Sequence, residues 1–208
     1  SIVSMHKHSV KDPDAREALE SAGRRIDVIT ATHRSLYELG THDWVDCTYL
    51  LPDLCKQIVE TYQRRTRVSI AVDTRGTIIL GVSQAVSLCL AVTELITNAC
   101  KYAFPDRETG QIKLLLDATG EDVLVRISDD GIGIADIDSE GGPSGIGTMI
   151  VSGLAHGIGA DIARETDSSG TSFSIRFPRQ IESLDQAHKA FGDDVDQIED
   201  HWQLNRLA

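Results

Sequence analysis

Apolar residues recur every three or four positions in the middle of the chain and predict a helix over roughly residues 83–104. The apolar stripe consists of Leu88, Val92, Leu95, Ile96 and Ala99. Glu94, Asn98 and Lys101 recur at the same spacing on another face of this helix. A solvated surface and a ligand-binding surface are both compatible with this polar row, and the helix alone does not distinguish between them.

The three polar residues differ in the chemistry that they offer. The amide oxygen of Asn98 can bind a hard cation such as Mg²⁺, which prefers oxygen ligands and keeps waters and phosphates as its other partners. The carboxylate of Glu94 can orient a water or a reacting group. The ammonium group of Lys101 can bind phosphate.

A second helical pattern lies near the start of the chain. Asp12 and Pro13 suit the cap and the first position of a helix, and Gly40 suits its end. Steps of four and three form an apolar seam typical of a helical bundle, made of Ala15, Leu19, Ala22, Ile26, Ile29, His33 and Leu36. With residues 1–8 as the end of a preceding helix, this predicts an antiparallel hairpin. We expect His33 to be a partly buried, hydrogen-bonded structural residue.

Shorter patterns complete the expected fold. They predict strands at 44–47, 68–72, 77–80, 112–116, 123–127, 161–165 and 173–177, and helices at 49–62 and 145–157. Thr119 and Gly120 form a turn between two of the strands, which makes a hairpin. Antiparallel strands with helices on one face make an α+β fold, a two-layer α/β sandwich preceded by the helical hairpin. The stretch 134–144 is rich in Gly, Ser and Asp and predicts a mobile loop.

Composition and charge narrow the function classes. The 208 residues carry a net charge of −12, which argues against a broad nucleic-acid surface. No apolar run approaches the ~20 residues of a membrane span and no signal peptide is visible, so we expect a cytoplasmic protein. Cys47, Cys55, Cys89 and Cys100 lack metal-binding spacing. Cys89 and Cys100 lie on or near the apolar side of the central helix and fit small core residues. No Walker P-loop occurs, so a nucleotide site would be of another type.

Three glycine-containing motifs follow the central helix. Asp129-Asp-Gly-Ile-Gly133 comes after a strand, Ser144-Gly-Ile-Gly147 opens a helix, and Gly170-Thr171 precedes the last strand. Taken alone, Asp-Asp-Gly is more typical of a simple turn, and Thr171 is equally compatible with the start of a strand. Glycine also lets a backbone turn sharply and approach a ligand, and free amides at a helix N-terminus bind phosphate.

Together with the spacing Glu94-x-x-x-Asn98-x-x-Lys101, these motifs resemble the nucleotide-binding domain of the histidine kinase, gyrase, Hsp90 and MutL superfamily. The local sequence TELITNACKYAFP at 93–105, with DPDAREAL at 12–19, is similar to sensor histidine kinases of the HisKA_2 type. The resemblance covers roughly residues 1–178. It implies the C-terminal part of a dimerisation and phosphoacceptor hairpin at 1–40 and a Bergerat-fold (GHKL) ATP-binding domain at 41–178. Residues 179–208 would be an acidic, helical packing extension.

The resemblance also implies roles for individual residues, with ATP and Mg²⁺ as the cofactors. Asp129 would accept a hydrogen bond from the adenine amino group, and Thr171 would help to fix the adenine. Asn98 would ligate Mg²⁺, and Glu94 would act on the reacting histidine as a base or an orienting group. Further nucleotide contacts would come from Lys101 and Tyr102 on phosphate or ribose, Gly131 and Gly133 beside the base, and Gly145 and Gly147 on the phosphates.

The implied activity is autophosphorylation of a histidine followed by transfer to an aspartate of a response regulator, with a homodimer through the hairpin expected and a monomer possible. His6 and His8 do not match the phosphoacceptor motif of the family, so we expect the acceptor to lie upstream of Ser1. The loop 134–144 contains no Lys or Arg, which leaves Lys101 and Mg²⁺ to neutralise the phosphates. Two alternatives remain: a serine or threonine kinase of the anti-sigma-factor type, and a phosphotransferase or scaffold that does not use ATP.

Overall fold

A computed structural model describes residues 12–38, 44–62, 66–134, 151, 153 and 156–179, and every structural statement below concerns these residues. Three helices are complete within them: α1 (Pro13–Glu38), α2 (Cys47–Thr61) and α3 (Val82–Tyr102). The strands are β1 (Trp44–Asp46), β2 (Arg67–Arg75), β3 (Ile79–Gly81), β4 (Thr109–Asp117), β5 (Asp122–Asp129), β6 (Asp161–Asp167) and β7 (Gly170–Pro178). The predicted segments 1–8, 135–150 and 181–208 lie outside the described residues.

The main sheet has five strands in the order β2-β4-β5-β7-β6, and β1 and β3 form a separate antiparallel pair. The predicted hairpin is confirmed, because β4 and β5 pair antiparallel. The prediction of an entirely antiparallel sheet is wrong at one edge, where β2 and β4 run parallel. The chain reaches β4 from β2 through α3, and a long crossover of this kind is what a parallel pair requires.

Helix α3 forms the centre of the hydrophobic core, as its apolar stripe predicts. Leu88, Val92 and Ile96 are fully buried, and the alternating residues of β4 and β5 supply the opposite layer. This packing makes the mixed α+β, two-layer arrangement that the patterns predict. Helix α3 is also long and apolar enough to match a membrane span by length and composition, but 56% of that stretch is buried inside the domain.

The boundary between β1 and α2 differs from the prediction by two residues. Asp46 ends the strand and caps the helix, because its carboxylate accepts a hydrogen bond from the amide of Thr48 at 2.8 Å. Helix α2 therefore begins at Cys47, within the stretch predicted to be a strand. All four cysteines are free, and Cys47, Cys55 and Cys89 are buried. Burial raises the pKa of the half-buried Cys100 thiol to about 12, which fits the predicted packing role.

Helix α1 packs onto the domain through a face that the predicted seam does not include. Val28 and Thr32 are buried on this face. The hydroxyl of Thr32 donates a hydrogen bond to the carbonyl of Val28 at 2.9 Å. The seam residues Ile26 and Ile29 are about half exposed, at 51% and 49%. His33 is exposed, so the expectation of a partly buried side chain is wrong for the single chain. Within the described part of the chain, Ile26 and Ile29 therefore expose apolar surface on the predicted seam.

Candidate functional site

Asp129 lies at the end of β5, and neighbouring backbone fixes its carboxylate. Its Oδ1 accepts hydrogen bonds from the amides of Gly131 at 3.0 Å and Thr171 at 3.3 Å. The second contact follows from the sheet, because Asp129 and Thr171 are paired residues of β5 and β7. All described hydrogen bonds of this carboxylate involve Oδ1, and the other oxygen can therefore serve a ligand.

The environment of Asp129 also changes its acidity. Partial burial raises the pKa of this carboxyl above its usual value, and the nearby charge of Asp130 acts in the same direction. The hydrogen bonds from the Gly131 and Thr171 amides favour the ionised form and offset part of this effect. A half-buried carboxylate held in one orientation by backbone is suited to recognise a donor group on a ligand.

Asp130 is bound by Arg107, which belongs to none of the sequence motifs. The guanidinium of Arg107 donates to the carboxylate of Asp130 at 2.8 Å and also to its backbone carbonyl, while the amide of Gln111 donates to the same carboxylate at 2.7 Å. Arg107 also lies over the ring of Phe104, 5.6 Å from the ring centre. Desolvation opposes ionisation here, but these hydrogen bonds outweigh it and lower the pKa of Asp130. Arg107 thereby ties the connection between α3 and β4 to the turn after β5.

The glycines of this region are required by close backbone contacts. A Cβ atom on Gly131 would overlap the carbonyl of Ala103, and one on Gly170 would overlap the carbonyl of Asp129. Gly133 has a φ of +71° and would overlap the carbonyl of Asp167. The predicted position of Gly131 and Gly133 beside a ligand stays a prediction, and the structure shows in addition that they allow three chain segments to pack backbone against backbone.

The turn after β5 is attached to the C-terminal end of α3. The amide of Ile132 donates to the carbonyl of Ala103, the cap residue of α3, at 3.0 Å. This contact brings the Asp129 turn next to Lys101 and Tyr102, the last residues of the helix. Tyr102 and Ile132 are 50% and 58% exposed among the described residues, so both side chains present apolar surface beside this turn.

The predicted polar row on α3 does not form a single open face. Asn98 and Lys101 are half-buried, whereas Glu94 is only 7% exposed. Helix α1 covers Glu94: the hydroxyl of Ser21 donates to Oε1 at 3.2 Å, and Nε of Arg25 lies 3.9 Å from the same oxygen. Glu94 therefore faces α1, and Asn98 lies one turn closer to the Asp129 turn.

The structure brings together most of the predicted site residues. Asp129, Gly131, Gly133 and Thr171 meet at one end of the sheet, against the C-terminal part of α3 that carries Asn98, Lys101 and Tyr102. Thr171 is buried, at 6% exposed. Gly145 and Gly147 lie outside the described residues. Among the described residues no group of three or more His, Cys, Asp or Glu side chains could hold a metal ion, so a cation here would rely on Asn98 and on oxygen atoms of its ligand.

Two family models match consecutive parts of the chain. The model for HisKA_2, described as histidine kinase, matches residues 1–62. The HATPase_c model, described as the histidine kinase-, DNA gyrase B- and HSP90-like ATPase, matches residues 83–181 and includes every site residue named above on α3, the Asp129 turn and β7.

Individual proteins show the same relationship. The chain is 32% identical over 113 residues to blue-light-activated histidine kinase 2 of Erythrobacter litoralis, a match that covers 54% of this chain and 32% of that protein. The anti-sigma F factor of Clostridium novyi is 38% identical over 47 residues, covering 23% of this chain and 33% of that protein.

A solved structure shows the same fold. It is the histidine kinase domain of the E. litoralis EL346 blue-light-activated kinase, with a TM-score of 0.68 at 22% identity, covering 86% of this chain and 92% of that one. The two family models cover the segments that carry the motifs, and the solved structure shares the fold. The chain belongs to the sensor histidine kinases, with a HisKA_2-type N-terminal segment followed by a GHKL-type ATPase domain.

Proposed function

We propose that this chain is the catalytic region of a two-component kinase that transfers the γ-phosphoryl group of ATP to a histidine, from which an aspartate of a response regulator receives it. The observation that carries the proposal is the fixed carboxylate of Asp129. Its Oδ1 is held by the amides of Gly131 and Thr171, so that the second oxygen can accept a hydrogen bond from the adenine amino group.

Adenine recognition at Asp129 would place the rest of the nucleotide along the end of α3. Ile132 and Tyr102 offer exposed apolar surface for the base or the ribose, and Lys101 offers a cation for the phosphates. In this proposal Gly145 and Gly147 supply amides for the phosphates, as the family motif implies.

The residues present also fit a magnesium ion. Asn98 offers one amide oxygen on the half-buried side of α3, and Mg²⁺ in phosphoryl-transfer sites is commonly held by few protein ligands together with waters and phosphate oxygens. When bound, the ion would neutralise charge on the transferring phosphoryl group. Asn98 would hold it against the phosphates.

The covering of Glu94 by α1 supports its proposed role near the acceptor histidine. Helix α1 is the second helix of the predicted phosphoacceptor hairpin, and Ser21 on this helix contacts Glu94. The histidine nitrogen would attack the γ-phosphorus while the bond to the β-phosphate oxygen breaks and ADP leaves. Glu94 would orient the imidazole and accept its proton.

The exposed seam of α1 supports the proposed homodimer. Ile26 and Ile29 are half exposed, whereas Val28 and Thr32 on the same helix are buried against the domain. A second hairpin could cover this apolar face in a four-helix bundle. Since the proposed reaction consumes ATP and the proposed partner is a response regulator, we propose that the kinase region lies in the cytoplasm.

Incubation with γ-labelled ATP and Mg²⁺ tests the proposed function. The samples are this chain and, where the gene encodes residues before Ser1, a version that carries them. We expect label that is lost in acid and kept in base, which is the behaviour of phosphohistidine, and we expect it in the longer version. A purified response regulator should then remove it.

The similarity to the anti-sigma F factor favours one second candidate, a serine or threonine kinase. It would give label that is stable in acid on an added protein partner. The match of residues 1–62 to the HisKA_2 model argues for the histidine kinase. Absence of ATP binding in both versions of the chain would contradict both functions and leave the scaffold.

A further inference from the structure

Thr166 lies on β6 beside the proposed adenine site, and the sequence motifs do not include it. Its hydroxyl contacts three separate groups. It accepts a hydrogen bond from the amide of Ile134 at 2.8 Å and can donate one to the carbonyl of Gly170 at 3.3 Å. It also lies 3.2 Å from the hydroxyl of Thr171, where either oxygen can be the donor. One side chain thus links the segment after the Asp129 turn, the β6–β7 turn and Thr171.

The positions of these groups follow from the strand register. Thr166 and Thr171 are directly paired residues of β6 and β7, next to the β6–β7 turn. Gly133 packs against Thr166 from the other side. A Cβ atom added to Gly133 would lie 3.1 Å from the Thr166 hydroxyl oxygen. Serine or threonine fits here because a short hydroxyl reaches all three groups, while a larger side chain would displace the Gly133 backbone.

The hydrogen bonds that the Thr171 hydroxyl can form depend on those of the Thr166 hydroxyl. A threonine hydroxyl has one hydrogen and two acceptor lone pairs. The amide of Ile134 uses one lone pair of Thr166. The single hydrogen of Thr166 then goes either to the Gly170 carbonyl, with Thr171 donating to Thr166, or to Thr171 itself. In the first case Thr166 fixes the direction of the Thr171 hydrogen, and in the second it occupies a lone pair of the Thr171 oxygen and leaves that hydrogen for a ligand.

We propose that Thr166 is a positioning residue for nucleotide binding: it orients the Thr171 hydroxyl and anchors the backbone at Ile134, so that the adenine end of the site is formed before ATP arrives. This inference rests on the proposed ATP-binding function. Thr166 makes its described contacts at the Asp129 end of the site and none with Glu94 or Asn98. It therefore affects nucleotide affinity more than the rate of phosphoryl transfer.

The experiment compares Thr166→Val, which keeps the shape and removes the hydroxyl, with Thr166→Ser, which keeps the hydroxyl. Thr74→Val is the matched control, since Thr74 is exposed on β2 at the opposite edge of the sheet. Binding of the Mg²⁺ complex of AMP-PNP is measured by calorimetry. Thr166 is exposed, so we expect Thr166→Val to raise Kd by at most about tenfold, as for the loss of one neutral intramolecular hydrogen bond. Thr166→Ser and Thr74→Val should stay within about twofold of the unsubstituted chain.

A double-substitution cycle with Thr171→Val tests the link between the two hydroxyls. If Thr166 acts through Thr171, the double variant binds more tightly than the sum of the single effects predicts. At saturating ATP, Thr166→Val should label at nearly the normal rate, which separates positioning from a general loss of structure.

Three results would overturn the inference: normal affinity in Thr166→Val, an equal loss of affinity in Thr166→Ser, or additive effects in the cycle. If Thr166→Val does not fold, Thr166→Ala removes the same hydroxyl and is measured in its place. If the unsubstituted chain does not bind the nucleotide, the proposed function fails and the role of Thr166 fails with it. If it binds and Thr166→Val binds equally well, only the role of Thr166 fails.

Discussion

Ser21 on α1 donates a hydrogen bond to the carboxylate of Glu94 on α3 over 3.2 Å. The two residues lie 73 positions apart in the chain, and the contact joins the predicted phosphoacceptor hairpin to the polar row of the ATPase domain. Arg25, one turn further along α1, lies 3.9 Å from the same carboxylate oxygen. One oxygen of Glu94 is thereby occupied by α1, and the direction of the other is fixed.

Replacement of Ser21 by alanine tests whether this contact positions Glu94. A hydrogen bond to a charged group contributes about 1.5–3 kcal/mol, so we expect the rate of histidine labelling at saturating ATP to fall about 10- to 100-fold. The Kd for Mg·ATP should not change, because Ser21 lies outside the adenine end. Thr30→Ala is the control, since Thr30 is exposed on the same helix and bonds only its own helix backbone among the described contacts. An unchanged or faster rate in Ser21→Ala would show that α1 does not assist Glu94.

Replacement of Asn98 by alanine tests the proposed cation ligand. We expect phosphorylation that depends on Mg·ATP to fall by at least about 100-fold, as for loss of a positioned group that stabilises developing charge. The fold should persist, because Asn98 is half-buried and outside the apolar stripe of α3. The Mg²⁺ concentration for half-maximal rate is the measurement that assigns the effect to the ion. Gln57→Ala, at an exposed position of α2, is the control. An unchanged Mg²⁺ dependence in Asn98→Ala would exclude Asn98 as a ligand.

Asp129→Asn should weaken ATP binding and leave the unliganded domain at least as stable. The amide would present hydrogens where the carboxylate presents an acceptor, and we expect Kd to rise about 10- to 100-fold. The pKa of Asp129 is raised mainly by burial. Its contribution to folding is therefore favourable at low pH and is lost as the pH rises through the raised pKa. At neutral pH the ionised group costs stability, which asparagine avoids.

The pH dependence of ATP affinity gives a second measurement on Asp129. In the unsubstituted chain, affinity should fall as the pH decreases through the raised pKa, because protonation removes the acceptor. Asp129→Asn should lack this part of the pH profile. Calorimetric titrations at several pH values, with thermal unfolding of the unliganded chain, measure both effects. Equal affinities and equal pH profiles would contradict adenine recognition by Asp129.

Arg107→Met tests whether the hydrogen bonds from Arg107 to Asp130 hold the Asp129 turn in place for the nucleotide. Methionine keeps an apolar side chain near Phe104 but removes both hydrogen bonds to Asp130. We expect the Kd for ATP to rise about threefold to tenfold, because the Asp129 turn loses one support. Arg75→Met is matched to it, since Arg75 forms an exposed ion pair with Asp73 on β2. A Kd that is the same in both variants would restrict Arg107 to an ordinary surface ion pair.

Arg107→Met should also change acid stability in a defined direction. The pKa of Asp130 is lowered, despite some desolvation, by the Gln111 amide and by Arg107. The lowered pKa of Asp130 adds to the free energy of unfolding at pH values above the usual carboxyl pKa of 3.8. This contribution is lost as the pH falls through the lowered pKa. The variant should therefore lose less stability than the unsubstituted chain between about pH 4 and pH 3. Urea titrations at these pH values measure the difference.

The sequence predicts the elements well where periodicity is strong. The stripe around Leu88 and Val92 predicts α3, and the alternation around Leu114 and Val125 predicts the β4–β5 hairpin, because burial of one face dictates the spacing of apolar residues. Boundaries are less certain. Asp46 reads equally well as the end of a strand and as a helix cap, and only its hydrogen bond to Thr48 decides between them.

Some site residues carry no local signal at all. Arg107 and Thr166 belong to no motif, and their importance comes from contacts with Asp130 and Thr171 that the sheet register creates. Ser21 and Arg25 do have a signal, since with Val28 and Thr32 they follow steps of four, three and four along a second face of α1. The predicted seam around Ile26 follows the same kind of spacing, so the sequence pattern did not distinguish that second face.

The amino-acid sequence by itself determined the polar row of α3, the order of the glycine motifs and hence the family, because these depend on residue type and spacing along one chain. The tertiary structure decided how the row is divided. Packing of α1 buried Glu94, while Asn98 and Lys101 lie closer to the Asp129 turn. The glycines pack against the backbone of neighbouring segments. The physical reason is that side-chain accessibility and hydrogen bonds between distant segments depend on which surfaces pack together, and spacing within one element does not contain that information.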